Sequence, residues 1–228
     1  MQPLILLHAA VGSKAQLASL ASRLENDFDI HLLDLPGHGG RNIEATDFSF
    51  HVFSKDVVDY MEREKIANAS IFGYSMGGYV GLYTAIHFPE KISKLICFAT
   101  KFHWDKTIAE KEIKMLDPVK IEEKIPDFAR LLKERHTPQD WKKLLEYTSR
   151  LLISNGNEPA INSTDYALIN IPVLLMSGDS DKMIPAEETI DMYRKLPGAS
   201  LAILPKTIHP IEQADIELLA FFIRRFLQ

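Results

Sequence analysis

Six short stretches of the chain are continuously apolar rather than alternating: Pro3–His8, Ile30–Asp34, Ser70–Tyr74, Lys94–Ala99, Pro172–Ser177 and Ser200–Leu204. A strand with one wet face alternates in polarity. A short run with no polar phase is how a parallel strand covered on both faces reads. Between most of these runs the apolar period lengthens to that of a helix. Ser13-Lys14-Ala15-Gln16 has the spacing of a capping box, in which Ser13 satisfies backbone donors and Gln16 reaches back. Leu17, Leu20 and Leu24 continue from it as one stripe. Phe53, Val57, Tyr60 and Met61 form the stripe of the next helix. Gly77, Gly78 and Gly81 would let a third helix lie close against a sheet, and Pro185 opens a helix carrying Ile190 and Tyr193. The chain closes on an apolar helix, Ala214–Leu227. This alternation predicts an α/β fold: a compact parallel sheet of about six strands with helices on both faces.

The spacing of the runs adds one feature. The third and fourth begin about 25 residues apart, the fourth and fifth about 78. A strand–helix repeat does not need that much chain, so residues 102–166 read as an insertion, with 1–101 and 167–228 forming the core. Its pattern is helical. Thr107–Leu116, Ile121–Arg135 and Pro138–Leu152 are separated by Asp117-Pro118 and Thr137-Pro138, and proline interrupts helices. Leu131, Leu132, Trp141, Leu144 and Leu145 supply apolar faces. Three helices inserted after the fourth strand would form a lid over the carboxyl edge of the sheet, the edge at which open α/β sheets bind ligands.

Composition narrows the class. With 228 residues, 46% of them hydrophobic, the chain can bury one substantial core, and one domain is the expectation at this length. The net charge is −5 and there is no basic tract, so nucleic acid is not an expected partner. The single cysteine, Cys97, lies in the apolar run LICFA and is expected to be a buried, inert thiol. A lone cysteine permits no internal disulfide and fits a reducing compartment. The opening MQPLILLHAAVG lacks a basic segment and reads as a strand rather than a secretion signal. No run approaches the roughly 18 apolar residues of a membrane helix. The expectation is a soluble, cytoplasmic protein with no membrane or nucleic-acid partner, acting on a small molecule.

The candidate chemistry begins at Gly73-Tyr74-Ser75-Met76-Gly77, where the third run passes into the glycine-rich helix. A nucleophilic serine must project from a tight strand-to-helix turn, and glycines on both sides make room for that strained backbone. A serine hydroxyl is a weak nucleophile and needs a base. In this arrangement the order along the chain is serine, acid, histidine. Of eight histidines only His209 lies beyond residue 136, in a loop just after the last strand. The acid should follow the fifth strand, in Ser177-Gly178-Asp179-Ser180-Asp181-Lys182. Asp181 is better placed, after a full turn; Asp179 suits the turn itself, and Asp105, after the fourth strand, is a third candidate. The acid would hold His209 in the right tautomer and stabilise its protonated form. The Met76 amide, directly after the nucleophile, and the Ala10 amide, in the loop His8–Gly12, are the expected oxyanion-hole donors. His8 reads as structural, at a strand end.

With these residues in place, the chain resembles the α/β-hydrolase superfamily over nearly its whole length. The matching motifs are LLHAAVGS, DLPGHG at Asp34–Gly39, GYSMGG, GDSDKMIP and HPIEQ. The resemblance implies an acyl-enzyme mechanism and no metal or organic cofactor. Three departures from the superfamily pattern stand out: Ala9 replaces the usual Gly after His8, the usual N-terminal strand pair is missing, and Ile208 precedes His209 where Gly is common. Serine at 75 argues against haloalkane dehalogenase-like relatives, which carry Asp there. The GYSMGG stretch also resembles the menaquinone-pathway lyase of the superfamily. That relative has Arg after the second Gly to bind substrate carboxylates, where this chain has Tyr79. A slow-turnover small-molecule sensor is the remaining alternative, distinguished by a burst that stalls. The leading expectation is a serine hydrolase cleaving a carboxylic ester, or a related thioester or C–C bond, of a small, largely apolar substrate. Tyr79, Phe102, His103, Trp104 and Phe128 are candidates to line its pocket.

Overall fold

A computed structural model describes residues 1–42 and 48–228. Six strands form one sheet: β1 (Gln2–Leu7), β2 (Phe28–Leu33), β3 (Ala69–Tyr74), β4 (Ile92–Phe98), β5 (Val173–Gly178) and β6 (Ser200–Leu204). All neighbours are parallel, in the order β2-β1-β3-β4-β5-β6. Each strand coincides with one of the apolar runs to within a residue or two. The reason for their lack of polar phase is visible in the packing. Ile5, Leu7, Ile71, Leu95, Cys97 and Leu175 face one hydrophobic cluster. Their neighbours Leu4, Leu6, Phe72, Ile96, Phe98, Leu174 and Met176 face another. Successive side chains of a strand point to opposite faces, so burial on both leaves the central strands little room for polar residues, small Ser70 and Ser177 being the ones accommodated in β3 and β5. Cys97 is part of this core, and burial pushes its thiol pKa up.

Helices α1 (Ala18–Leu24) and α9 (Ile216–Leu227) cover one face. Helices α2 (Phe50–Arg63), α3 (Met76–His87) and α8 (Ala186–Lys195) cover the other. A Cβ on Gly77 would lie 2.3 Å from the Leu7 carbonyl oxygen, so α3 can approach β1 at backbone contact only with glycine there.

Two local expectations are corrected. The capping box at Ser13–Gln16 does not form: Ser13 precedes a 3-10 turn, Lys14–Leu17, and its side chain caps nothing. The Lys14 N–H instead donates to Asp34 Oδ1 at 2.7 Å, and Gln16 Nε2 donates to Glu212 Oε1 at 2.9 Å. The Gln16 N–H that the Ser13 hydroxyl would accept closes the 3-10 turn on the Ser13 carbonyl at 3.0 Å, and the Gln16 amide that would reach back is taken by Glu212. On α8 the buried positions are Thr189 and Met192, while Tyr193 is exposed.

The insertion follows β4 and is helical, as expected, but holds four helices rather than three: α4 (Lys106–Glu112), α5 (Pro118–Lys124), α6 (Pro126–His136) and α7 (Trp141–Asn157). The segment expected as one helix from Ile121 to Arg135 breaks at Pro126, which has no N–H to give and disfavours helix in the residue before it. Asp105, Asp117 and Asp140 cap α4, α5 and α7. Ile121, Ala129, Leu132, Trp141 and Leu145 form a small core of the insertion's own, against which Val11 packs; Leu131 points outward. Among the described residues no helix is long and apolar enough to cross a membrane.

Between β1 and β3 the winding of the chain reverses, since β2 lies on one side of β1 and every later strand on the other. In open α/β sheets the crevice outside the carboxyl ends of two such strands is the ligand site.

Candidate active site

The carboxyl end of β3 leads straight into Ser75, whose backbone sits at φ 52, ψ −116. A non-glycine residue there costs about 1–3 kcal/mol and persists only where its surroundings dictate it. The surroundings do so here. The Ser75 N–H donates to the Phe98 carbonyl at 2.8 Å, tying the turn to the end of β4. A Cβ on Gly73 would meet Gly77 backbone at 2.4 Å, so the flanking glycines let the strand and the helix close on each other. Ser75 is half-buried, between buried Tyr74 and Met76.

His209 and Asp181 come together from the loops after β6 and β5. His209 Nδ1 lies 2.8 Å from Asp181 Oδ2. The carboxylate can only accept, so Nδ1 carries the proton and Nε2 of the neutral ring keeps its lone pair. Asp181 is buried, and its other oxygen accepts the N–H groups of Met183 (2.8 Å) and Ile184 (2.9 Å). The two loops are locked at backbone level: the Ser180 N–H donates to the Thr207 carbonyl, and a Cβ on Gly178 would lie 2.0 Å from that same oxygen.

The rival carboxylates are otherwise engaged. Asp179 is exposed and accepts the Ser180 hydroxyl, a bond that holds its pKa below the usual carboxylate value. Asp105 caps α4 through the Ile108 N–H.

Ser75 and His209 are linked through the residue before the serine. Buried Tyr74 donates its hydroxyl to the His209 carbonyl at 3.0 Å and accepts the Ile211 N–H at 3.4 Å. Its ring centroid is 5.6 Å from the imidazole. Burial pushes the phenol pKa up, so it stays a neutral donor. Sequence reasoning passed over Tyr74; its position beside the serine was the only signal. Among the described residues no hydrogen bond joins the Ser75 hydroxyl to His209. Such bonds are commonly long in unliganded sites and tighten when substrate binds.

The expected oxyanion donors sit at the ends of adjacent strands. Ala10 is in the turn Ala9–Gly12 after β1, closed by a Gly12 N–H to Ala9 carbonyl bond of 3.1 Å, and Met76 opens α3 after β3. Among the described residues neither amide donates to a protein carbonyl. His8, just before this turn, is fully buried. Its Nε2 accepts the Leu35 N–H at 3.0 Å and its Nδ1 donates to the Ala9 carbonyl at 2.7 Å. Burial pushes its pKa down to about 4, so it is a neutral spacer.

The five pocket candidates do not share one wall. Tyr79 is buried in the core, its hydroxyl accepting the Ile161 N–H at 3.1 Å and lying 3.4 Å from Asn155 Oδ1, which fastens α3 to the end of the insertion. Phe102 is buried in the same cluster and Trp104 packs against it. His103 faces solvent beside Asp105. Phe128 packs with Val11 against the insertion's core. Among the described residues no group of three or more His, Cys, Asp or Glu side chains could hold a metal ion.

Comparison with known proteins adds the lineage. An abhydrolase domain-containing protein of Schizosaccharomyces pombe is 33% identical over 96 residues, 41% of this chain and 35% of that protein, so this match spans about a third of the relative's length. The pimeloyl-acyl-carrier-protein methyl ester esterase of Neisseria meningitidis is 25% identical over 243 residues, covering 98% of this chain and 92% of its own. An esterase from Exiguobacterium antarcticum shares the fold with a TM-score of 0.82 at 16% identity, over 100% of this chain and 92% of that one. The family described as alpha/beta hydrolase fold matches residues 2–117, just over half of the chain, and the protein belongs to it.

Proposed function

We propose that the protein is a serine hydrolase that cleaves the carboxylic ester of a small, largely apolar substrate through an acyl-enzyme. The observation that carries this reading is the buried Asp181–His209 hydrogen bond, set on interlocked loops at the sheet edge where Ser75 projects from its strained turn. The proposed roles are consistent with this geometry. Ser75 Oγ attacks the ester carbonyl while His209 Nε2 accepts its proton. The oxyanion rests on the Ala10 and Met76 amides. The imidazolium, held by Asp181, then gives its proton to the departing alcohol, and the C–O bond of the ester breaks. Water, deprotonated by the same ring, attacks the acyl-serine, and the proton returns to Ser75 as the carboxylic acid leaves. Asp181 stays ionised throughout. The insertion serves as the lid of this site. Esterase names among the relatives at low identity agree with the reading.

A fluorophosphonate probe with peptide mapping tests it, followed by a panel of esters and thioesters. Labelling is expected at Ser75 and lost in Ser75→Ala, with short p-nitrophenyl esters turned over many times per site. A soluble Ser75→Ala protein with wild-type turnover rules the mechanism out. A single burst that stalls would identify a sensor instead.

A further inference from the structure

The insertion meets the candidate site at the carbonyl of Val11. Two consecutive residues at the end of α6 bond to it: Arg135 Nη1 donates at 3.2 Å and His136 Nε2 at 3.0 Å. The tautomer of His136 is fixed from the other side, where its Nδ1 accepts the Gly39 N–H at 3.2 Å, so Nε2 carries the hydrogen. Arg135 also approaches Glu212 Oε1 at 3.6 Å, three residues past His209. Both side chains are largely buried.

Resting on the hydrolase reading above, we propose that Arg135 and His136 are positioning residues for the oxyanion hole, holding the Ala10 amide through two linked peptide units. The Val11 carbonyl and the Gly12 N–H belong to the same rigid peptide plane. That N–H donates to the Ala9 carbonyl at 3.1 Å, and the Ala9 carbonyl shares its own plane with the Ala10 N–H. Fixing the Val11 oxygen therefore fixes the direction of the Ala10 amide, two planes away. The chain of bonds also polarises: a cationic donor on the first carbonyl strengthens the next N–H, and so on along the series.

The turn needs this external hold. Val11 sits at φ 49, the left-handed region that a turn's third residue usually fills with glycine, and a β-branched side chain is poorly suited to it. Released from α6, the turn would relax and swing the Ala10 amide away. The Val11 side chain is likewise packed on the insertion's core rather than the sheet's. The oxyanion loop is thus completed by the insertion, and the hole is assembled only while α6 is docked.

The test compares His136→Leu, His136→Gln and the double variant Arg135→Leu/His136→Leu with wild type. Active sites are counted by fluorophosphonate titration, so loss of folded protein does not register as loss of rate. Deleting an oxyanion donor outright costs about 10²–10³ in rate; a misaimed one should lower kcat per titrated site about 10- to 100-fold in the double variant, with KM within about twofold. Inhibition by an alkyl boronic acid, whose tetrahedral serine adduct places an oxygen in the hole, should weaken by the same factor as kcat falls. His136→Gln keeps an N–H near the Nε2 position and should recover most of what His136→Leu loses. A titrated kcat within twofold of wild type, a change in KM alone, or equal losses in Leu and Gln variants would overturn the proposal. If the double variant does not fold, the Leu–Gln comparison decides. If wild type itself neither takes the probe at Ser75 nor turns over esters, the hydrolase reading fails. If wild type does both and the variants match it, only the positioning role falls.

Discussion

Lowering the pH from 7.5 to 5 should cost the fold about 2 kcal/mol through His8 alone. The ring is fully buried, spends both nitrogens on backbone partners, and has His38 at a centroid distance of 4.9 Å. Protonating Nε2 would break its bond from the Leu35 N–H and place a charge among His38, His136 and Arg135, with Asp34 offsetting part of the cost. Burial is the main reason its pKa falls from 6.5 to about 4. The sign follows directly. The unfolded chain takes up a proton near pH 6.5 that the folded ring refuses until about pH 4, so the unfolded state binds more protons in that window. The contribution is fully present above pH 6.5 and is lost as the pH falls toward 4. At pH 5 only about a tenth of folded rings would be protonated, which gives the 2 kcal/mol figure. His38 and His136 are depressed by burial too and act in the same direction. Urea unfolding between pH 7.5 and 4.5 measures the slope, expected to reach at least about 1.4 kcal/mol per pH unit. A ring resonance assigned to His8 by NMR should not move above pH 5. A His8 ring that titrates near 6.5 in folded protein, or stability flat from pH 6.5 to 4.5, would refute the reasoning.

Three further outcomes are expected. Ser75→Gly should abolish ester turnover yet stabilise the fold by about 1 kcal/mol, because glycine relieves the φ 52 backbone; a lower melting temperature would contradict the strain argument. Asp181→Asn should lower kcat about 10⁴-fold by favouring the wrong His209 tautomer, while Asp179→Asn, in the exposed turn, should leave kcat within a few-fold; the reverse ranking in steady-state kinetics would reassign the acid. Gly178→Ala should destabilise the fold by about 3 kcal/mol, since its Cβ would lie 2.0 Å from the Thr207 carbonyl; thermal melting indistinguishable from wild type would show that the acid and base loops are not locked there.

What the sequence disclosed and what it withheld divide along a physical line. Two-sided burial of a strand is a property each residue carries, so Leu4–Leu7 or Leu174–Met176 announce it by composition alone. The split of the insertion at Pro126 is equally local, a single proline within the stretch read as one helix from Ile121 to Arg135. The capping box fails for the opposite reason: Ser13 and Gln16 have the right spacing, but Glu212, 196 residues on, takes the Gln16 amide. The two aspartates after β5 are chemically identical in the sequence. What separates them is a fold-level fact, since one is buried against three donors and the other lies in water. Tyr74, Arg135 and His136 belong wholly to that second kind. Tyr74 meets His209 across 135 residues, and His136 meets Val11 across 125. Neither partner of either pair carries a mark of the other, and no periodicity connects them. Val11 and Ser75 share one structural feature: both are non-glycine residues at positive φ, held there by bonds from outside their own segments. A backbone that cannot sustain its own conformation has to be sustained by something distant, and following that debt outward from each strained residue leads to the β4 end in one case and to α6 in the other.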